Sequence, residues 1–114
     1  MPGLAERQCV PCKGGVPPLT SAQSEPLLAQ LDGWTVVESH HLEKLFKLKN
    51  FVEALELVNR IGAIAEQQNH HPDIFLAWGK VGVKIWTHKI NGLTESDFIF
   101  AAKCDMARAS MREA

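Results

Sequence analysis

Long apolar runs, a disulfide framework and an excess of charge of either sign are all missing from this 114-residue chain. No stretch approaches the roughly 20 apolar residues of a transmembrane helix, so no membrane span is expected. The polar, Pro/Gly-rich N-terminal stretch lacks the apolar centre of a signal peptide, and the expected location is cytoplasmic. Twelve Lys+Arg against 13 Asp+Glu leave a net charge of −1, which supplies no electrostatic footprint for a phosphate backbone and disfavours direct nucleic-acid binding. The cysteines are few and odd in number, Cys9, Cys12 and Cys104, which points to reduced thiols. Cys9 and Cys12 have the C-x-x-C spacing of half a zinc site or a redox pair. A zinc site needs about four ligands, and no second pair follows at suitable spacing, so no metal is expected.

What remains is an ordinary globular composition, 46% hydrophobic and 22% charged, in a chain long enough for one core without disulfides or metal. Residues 1–19, with Gly14-Gly15-Val16-Pro17-Pro18, read as a flexible arm, and residues 20–114 as a single domain. Thr20 with Gln23 makes a capping box for a first helix to about Leu31, ended by Asp32-Gly33. Pro26 allows a second start, at Ser24, which would place the proline in the first turn. Trp34–Glu38 and Leu42–Lys49 read as a hairpin, the second strand alternating Leu42, Lys44, Phe46 and Leu48 against Leu45 and its neighbours.

Asn50 caps a long helix from Phe51 to about Asn69. Its apolar arc covers roughly half the circumference. One edge covers the sheet, while the other, around Leu57, Ile61 and Ile64, packs on an oligomer partner or on another helix of the chain. Asp73–Trp78 and Val81–Thr87 form a second hairpin around Gly79-Lys80. Thr94 and Asp97 suggest a capping box for a last helix to about Ala109, with Phe98, Ala102 and Met106 inward. The order α-β-β-α-β-β-α implies an α+β fold, a four-stranded antiparallel sheet with helices packed on one face.

The chemistry concentrates in residues 66–97. Glu66-Gln67-Gln68-Asn69-His70-His71-Pro72-Asp73 is followed by Thr87-His88 and by Gly92-Leu93-Thr94-Glu95-Ser96-Asp97, gathering three of the five histidines. Imidazole, with an unperturbed pKa of about 6.5, gives and takes protons readily near neutral pH. Glu66 and His70 are four apart, so the carboxylate can fix the tautomer of that imidazole. Pro72 disfavours helical geometry at His71, which turns the adjacent histidines in different directions. His88 returns along the second hairpin, and Asp97 is a candidate orienting group. Taken singly, His70 is as readily a favourable charge at a helix C-terminus, and His71 and His88 are ordinary surface positions. His40 and His41 are assigned to solvent. Adjacent histidines without H-x-x-x-H spacing make awkward zinc ligands.

The E-x-x-x-H-H-P segment, the spacing to T-H and the following G-L-T-x-x-D resemble the pterin-4a-carbinolamine dehydratase family, with a pattern running from about Leu19 to Ala109. Leu31-x-Gly33-Trp34 and the C-V-P-C-x-G-G-x-P-P-L arm are similar to that family too. The resemblance implies dehydration of 4a-hydroxytetrahydropterin to the quinonoid dihydropterin, in tetrahydropterin recycling. It implies His70, His71 and His88 as catalytic residues, and Glu66, Asn69, Pro72, Thr87 and Asp97 as binding or supporting ones. No metal or organic cofactor is implied, since the pterin is the substrate. It further implies homodimers through the sheet and homotetramers through the long helix. The alternative it carries is a protein-binding factor with little activity, assisting Rubisco assembly or acting as a coactivator of a transcription factor. Ile74, Trp78-Gly79, Lys89 and Asn91-Gly92 depart from the residues common in the family.

Overall fold

A sheet of four antiparallel strands in the order β1-β2-β4-β3 carries the molecule. The computed structural model describes residues 4–6 and 17–112; Cys9 and Cys12 lie outside the described residues. The elements are α1 (Ser21–Leu28), β1 (Thr35–Val37), β2 (His41–Lys47), α2 (Phe51–Gln68), β3 (Asp73–Ala77), β4 (Lys80–Ile85) and α3 (Glu95–Arg112), with 3₁₀ turns at Leu4–Glu6 and His88–Ile90. This is the expected α-β-β-α-β-β-α order, with the helices on one face of the sheet. Among the described residues no helix is long and apolar enough to cross a membrane.

Caps fix the helix starts. Thr20 accepts from the Gln23 amide while the Gln23 side chain accepts from the Thr20 amide, so α1 begins at Ser21 and holds Pro26 in its interior. That proline removes a backbone donor, and α1 ends at Leu28, short of the expected Leu31. Asn50 accepts from the Glu53 amide at 2.9 Å and starts α2. Within the segment expected to be an irregular arm, Leu4–Glu6 forms one 3₁₀ turn; Leu4 is buried and the Ala5 carbonyl accepts from Lys103 Nζ.

Strand alternation decides what is buried. Leu42, Phe46, Val81, Val83 and Ile85 face the helices and are almost fully covered, with Leu42 opposite Ile85 and Phe46 opposite Val81. Leu45, Phe75 and Lys84 lie on the opposite face, where Leu45 and Phe75 are exposed. The β3–β4 turn is shifted by one residue from the expected Gly79-Lys80. Ala77 pairs with Lys80, so Trp78-Gly79 makes the connection, and Gly79 takes the positive φ of 70° that the second central residue of a type II turn requires.

Two helix faces are decided only by docking. In α2 the buried stripe is Ala54, Leu57, Ile61 and Ala65, so the edge around Leu57 and Ile61 is covered within the chain rather than left for an oligomer partner, and the apolar residues left outward are Phe51, Val52 and Leu55. Periodicity marks an apolar arc; which edge of it faces the sheet depends on how the helix is docked. In α3 the first turns are buried on every side, from Asp97 to Ala101, and the stripe continues through Cys104. Met106, expected inward with Phe98, is exposed, because at 100° per residue it stands roughly 160° around the helix from Cys104.

Candidate active site

The end of α2 sets the site. Asn69 adopts a left-handed conformation (φ 52°, ψ 44°) and its amide bonds the Ala65 carbonyl, ending the helix. Asparagine tolerates this geometry better than other residues bearing a Cβ. Pro72 then keeps His71 out of helical backbone. The two histidines leave in opposite directions, His70 inward and His71 to the surface, with side chains 16% and 55% exposed.

His70 meets Asp97 in the first turn of α3, with Nε2 2.6 Å from Oδ1. Asp97 is fully buried. Its second oxygen accepts from the Thr94 amide at 2.8 Å and from the Thr87 hydroxyl at 3.0 Å. The Thr94 amide bond is the acidic half of the expected capping box. Thr94 Oγ1 lies 3.0 Å from Thr87 Oγ1; since the single Thr87 proton serves Asp97, Thr94 is the donor between them. The carboxylate is acceptor-only, so Nε2 of His70 carries its proton toward Asp97 and Nδ1 is left for other work. The Phe100 ring packs edge-on at 6.0 Å and limits the tilt of the imidazole.

His71 repeats the device at the surface. Its Nε2 lies 2.5 Å from Glu66 Oε2. Glu66 therefore serves His71 rather than the His70 that its i,i+4 spacing suggested, and Asp97, the candidate orienting group, takes His70. His88 opens the 3₁₀ turn after β4 and stacks edge-on against Trp86 with centroids 4.4 Å apart. A cleft of about 220 Å³ is lined by Asn69, His70, His71, Trp86, Thr87, His88 and Lys89. Of the eight site residues expected from sequence, five thus share one cleft; Asp97 lies beneath it, Glu66 flanks it, and Pro72 shapes its backbone. Among the described residues no group of three or more His, Cys, Asp or Glu could hold a metal ion.

Three aromatic residues at this end of the molecule were not expected there. His40 and His41, assigned to solvent, are half-buried, and with Trp86 they make a continuous ring cluster: His40 to Trp86 5.1 Å, His41 to Trp86 6.0 Å and His40 to His41 5.3 Å between centroids. The β2–β4 pairing brings the hairpin apex beside the end of β4, with Leu42 opposite Ile85; spacing within one hairpin could not show this. A larger concavity, about 590 Å³, lies on the outer sheet face between Leu45, Phe75 and Gly82. It contains no imidazole; the three histidines expected to form a site lie on the smaller cleft.

The family model for pterin 4 alpha carbinolamine dehydratase matches residues 17–107. A relative from Rubrobacter xylanophilus, provisionally named pterin-4-alpha-carbinolamine dehydratase, is 60% identical over 105 residues, covering 92% of this chain and 98% of its own length. One from Alkaliphilus metalliredigens with the same provisional name is 54% identical over 106 residues, covering 92% and 96%. The crystal structure of a transcriptional coactivator/pterin dehydratase from Brucella melitensis is similar at a TM-score of 0.76 and 34% identity, over 80% of this chain and 98% of that one.

Proposed function

The chain belongs to the pterin-4a-carbinolamine dehydratase family, and from that membership we propose that it dehydrates 4a-hydroxytetrahydropterin to the quinonoid dihydropterin, as a cytoplasmic step of tetrahydropterin recycling. The observation that carries the reading is the presence of His70, His71 and His88 on one cleft, with the first two each bonded through Nε2 to a carboxylate.

The reaction needs a proton on the departing 4a-oxygen as the C4a–O bond breaks. It also needs loss of the N5 proton, so that the N5 electrons close the C4a=N5 double bond and water leaves. An acid and a base must therefore flank the ring. A neutral imidazole whose Nε2–H is held by a carboxylate offers Nδ1 as a base; the same imidazole protonated offers Nδ1–H as an acid, with the carboxylate stabilising its charge. His70 and His71 both meet this description, and His88 completes the set. Glu66 and Asp97 act through the histidines as positioning residues. The chain supplies every proton transfer itself and calls on no cofactor.

We propose further that it works as a homodimer or homotetramer, using the exposed Leu45 and Phe75 of the sheet and Phe51, Val52 and Leu55 of α2. A second reading, a factor that binds another protein, draws support from the Brucella melitensis neighbour's description as a transcriptional coactivator.

The deciding measurement is the dehydration rate of freshly generated 4a-hydroxytetrahydropterin, followed by ultraviolet absorbance. Acceleration by the wild type, falling about a hundredfold in His71→Ala, is expected from the usual worth of a positioned proton donor or acceptor. His71 is exposed enough for the variant to fold. A wild-type rate equal to buffer, from folded protein, would send the search to the protein-binding reading.

A further inference from the structure

We propose that Trp86 is the substrate-contacting wall of this cleft and that His40, from the opposite hairpin, is the residue that positions it. The inference rests on the dehydratase reading for the identity of the ring, but not for the shape of the cleft.

The cleft, at about 220 Å³, is smaller than the roughly 300–1,000 Å³ of sites that take drug-sized ligands. It suits a flat bicyclic ring without its substituent. Trp86 is the large apolar surface lining it, the other lining residues being imidazole, amide or hydroxyl side chains and the ammonium-bearing Lys89. Indole and pterin rings attract through offset or edge-on contact, so a tryptophan here adds affinity and excludes water without taking part in proton transfer.

The ring is also held. His40 packs on it at 5.1 Å with a 42° tilt, and His88 meets it edge-on at 4.4 Å. His40 Nε2 lies 2.8 Å from Asn91 Oδ1, tying the β1–β2 connection to the loop that follows the His88–Ile90 turn. Trp86 is thus enclosed between two segments far apart in sequence. The apex that delivers His40 contains two successive left-handed residues, Glu38 (φ 52°) and Ser39 (φ 55°), neither of them glycine. These are the central residues of a type I′ turn, closed by the His40 amide on the Val37 carbonyl at 2.9 Å, which fixes where the hairpin delivers His40.

The test is a split between KM and kcat. Trp86→Ala is expected to raise KM at least tenfold and change kcat less than threefold, while Trp86→Phe stays within about threefold of wild type in both. His40→Ala is expected to raise KM about three- to fivefold in the wild-type background and to add nothing in the Trp86→Ala background, since a positioning residue has no effect once its object is gone. Should Trp86→Ala fail to fold, Trp86→Leu, which keeps bulk without the π-system, takes its place. An unchanged KM in these variants, or a tenfold fall in kcat at constant KM, would overturn the assignment and make Trp86 a support for His88 alone. If the wild type shows no dehydration, calorimetric titration with 7,8-dihydropterin reads the proposal independently. Binding weakened tenfold or more in Trp86→Ala supports it, whereas equal binding, or none to the wild type, overturns it.

Discussion

Asp97 shows how much one buried carboxylate can decide. It accepts three hydrogen bonds, from His70, Thr87 and the Thr94 amide, and offers none. Asp97→Asn keeps the shape but puts an NH₂ group where one of these donors must face it. The least costly rearrangement is at the imidazole, which can move its proton to Nδ1 and present Nε2 as an acceptor. The expected result is a reversed His70 tautomer, visible in ¹⁵N chemical shifts of the ring, and a fall in kcat of tenfold or more with the protein still folded. A His70 that keeps Nε2–H in the variant, with unchanged kcat, would remove Asp97 from the positioning role. The three histidines themselves were legible in the sequence because their residue type carries the chemistry. Glu66 and Asp97 were legible as orienting groups too, but which carboxylate serves which imidazole was not. The i,i+4 rule links Glu66 to His70 only while the helix continues through both, and the left-handed Asn69 breaks it one residue early, so that Glu66 meets His71.

Elements were read well at their starts and less well at their faces. Thr20 and Asn50 cap the helices that the sequence assigns to them, because a cap is a local bond between a side chain and an amide three residues away. The outward edge of α2 and the inward stripe of α3 depend on docking, which no window of sequence contains; hence the two open readings at Leu57 and Ile61, which the chain itself covers, and the misplacement of Met106. The end of α2 gives a sharp test. If Asn69 serves mainly by its left-handed backbone, Asn69→Gly should leave the thermal midpoint and kcat/KM close to wild type, because glycine adopts φ near +50° without strain. Asn69→Val should lose about 1–2 kcal/mol of stability, the cost of a left-handed residue bearing a bulky Cβ, with His70 and His71 misdirected as well. A rise in KM in Asn69→Gly at unchanged stability would instead show that the amide side chain itself touches the ring.

At the scale of the molecule, the histidine cleft and the exposed apolar patches occupy different surfaces. The histidine cleft lies where the end of α2, the end of β4 and the start of α3 meet. The exposed Leu45 and Phe75 flank Gly82 on the outer sheet face, where a Cβ at Gly82 would come within 3.4 Å of Phe75. The absence of a side chain there leaves a shallow apolar trough. On the helical side, Phe51, Val52 and Leu55 form a second exposed apolar strip. Contiguous apolar surface of this kind marks an interaction site more often than free surface, and two such patches on opposite faces can each close a two-fold contact. Light scattering on the purified 12.6 kDa chain should therefore give a multiple of that mass. If the sheet face makes the dimer and α2 joins dimers, Val52→Glu should reduce a tetramer to a dimer, and Phe75→Glu should weaken the dimer itself. Each patch carries its own contact, so neither change should remove the other's effect. A wild-type monomer at micromolar concentration would refute the assembly, and a glutamate at either position without change in mass would clear that face. Since none of these residues lines the cleft, a loss of dehydration that tracked dissociation would mean that the ordering of α2 and β4, and so the spacing of the three imidazoles, depends on the neighbouring subunit.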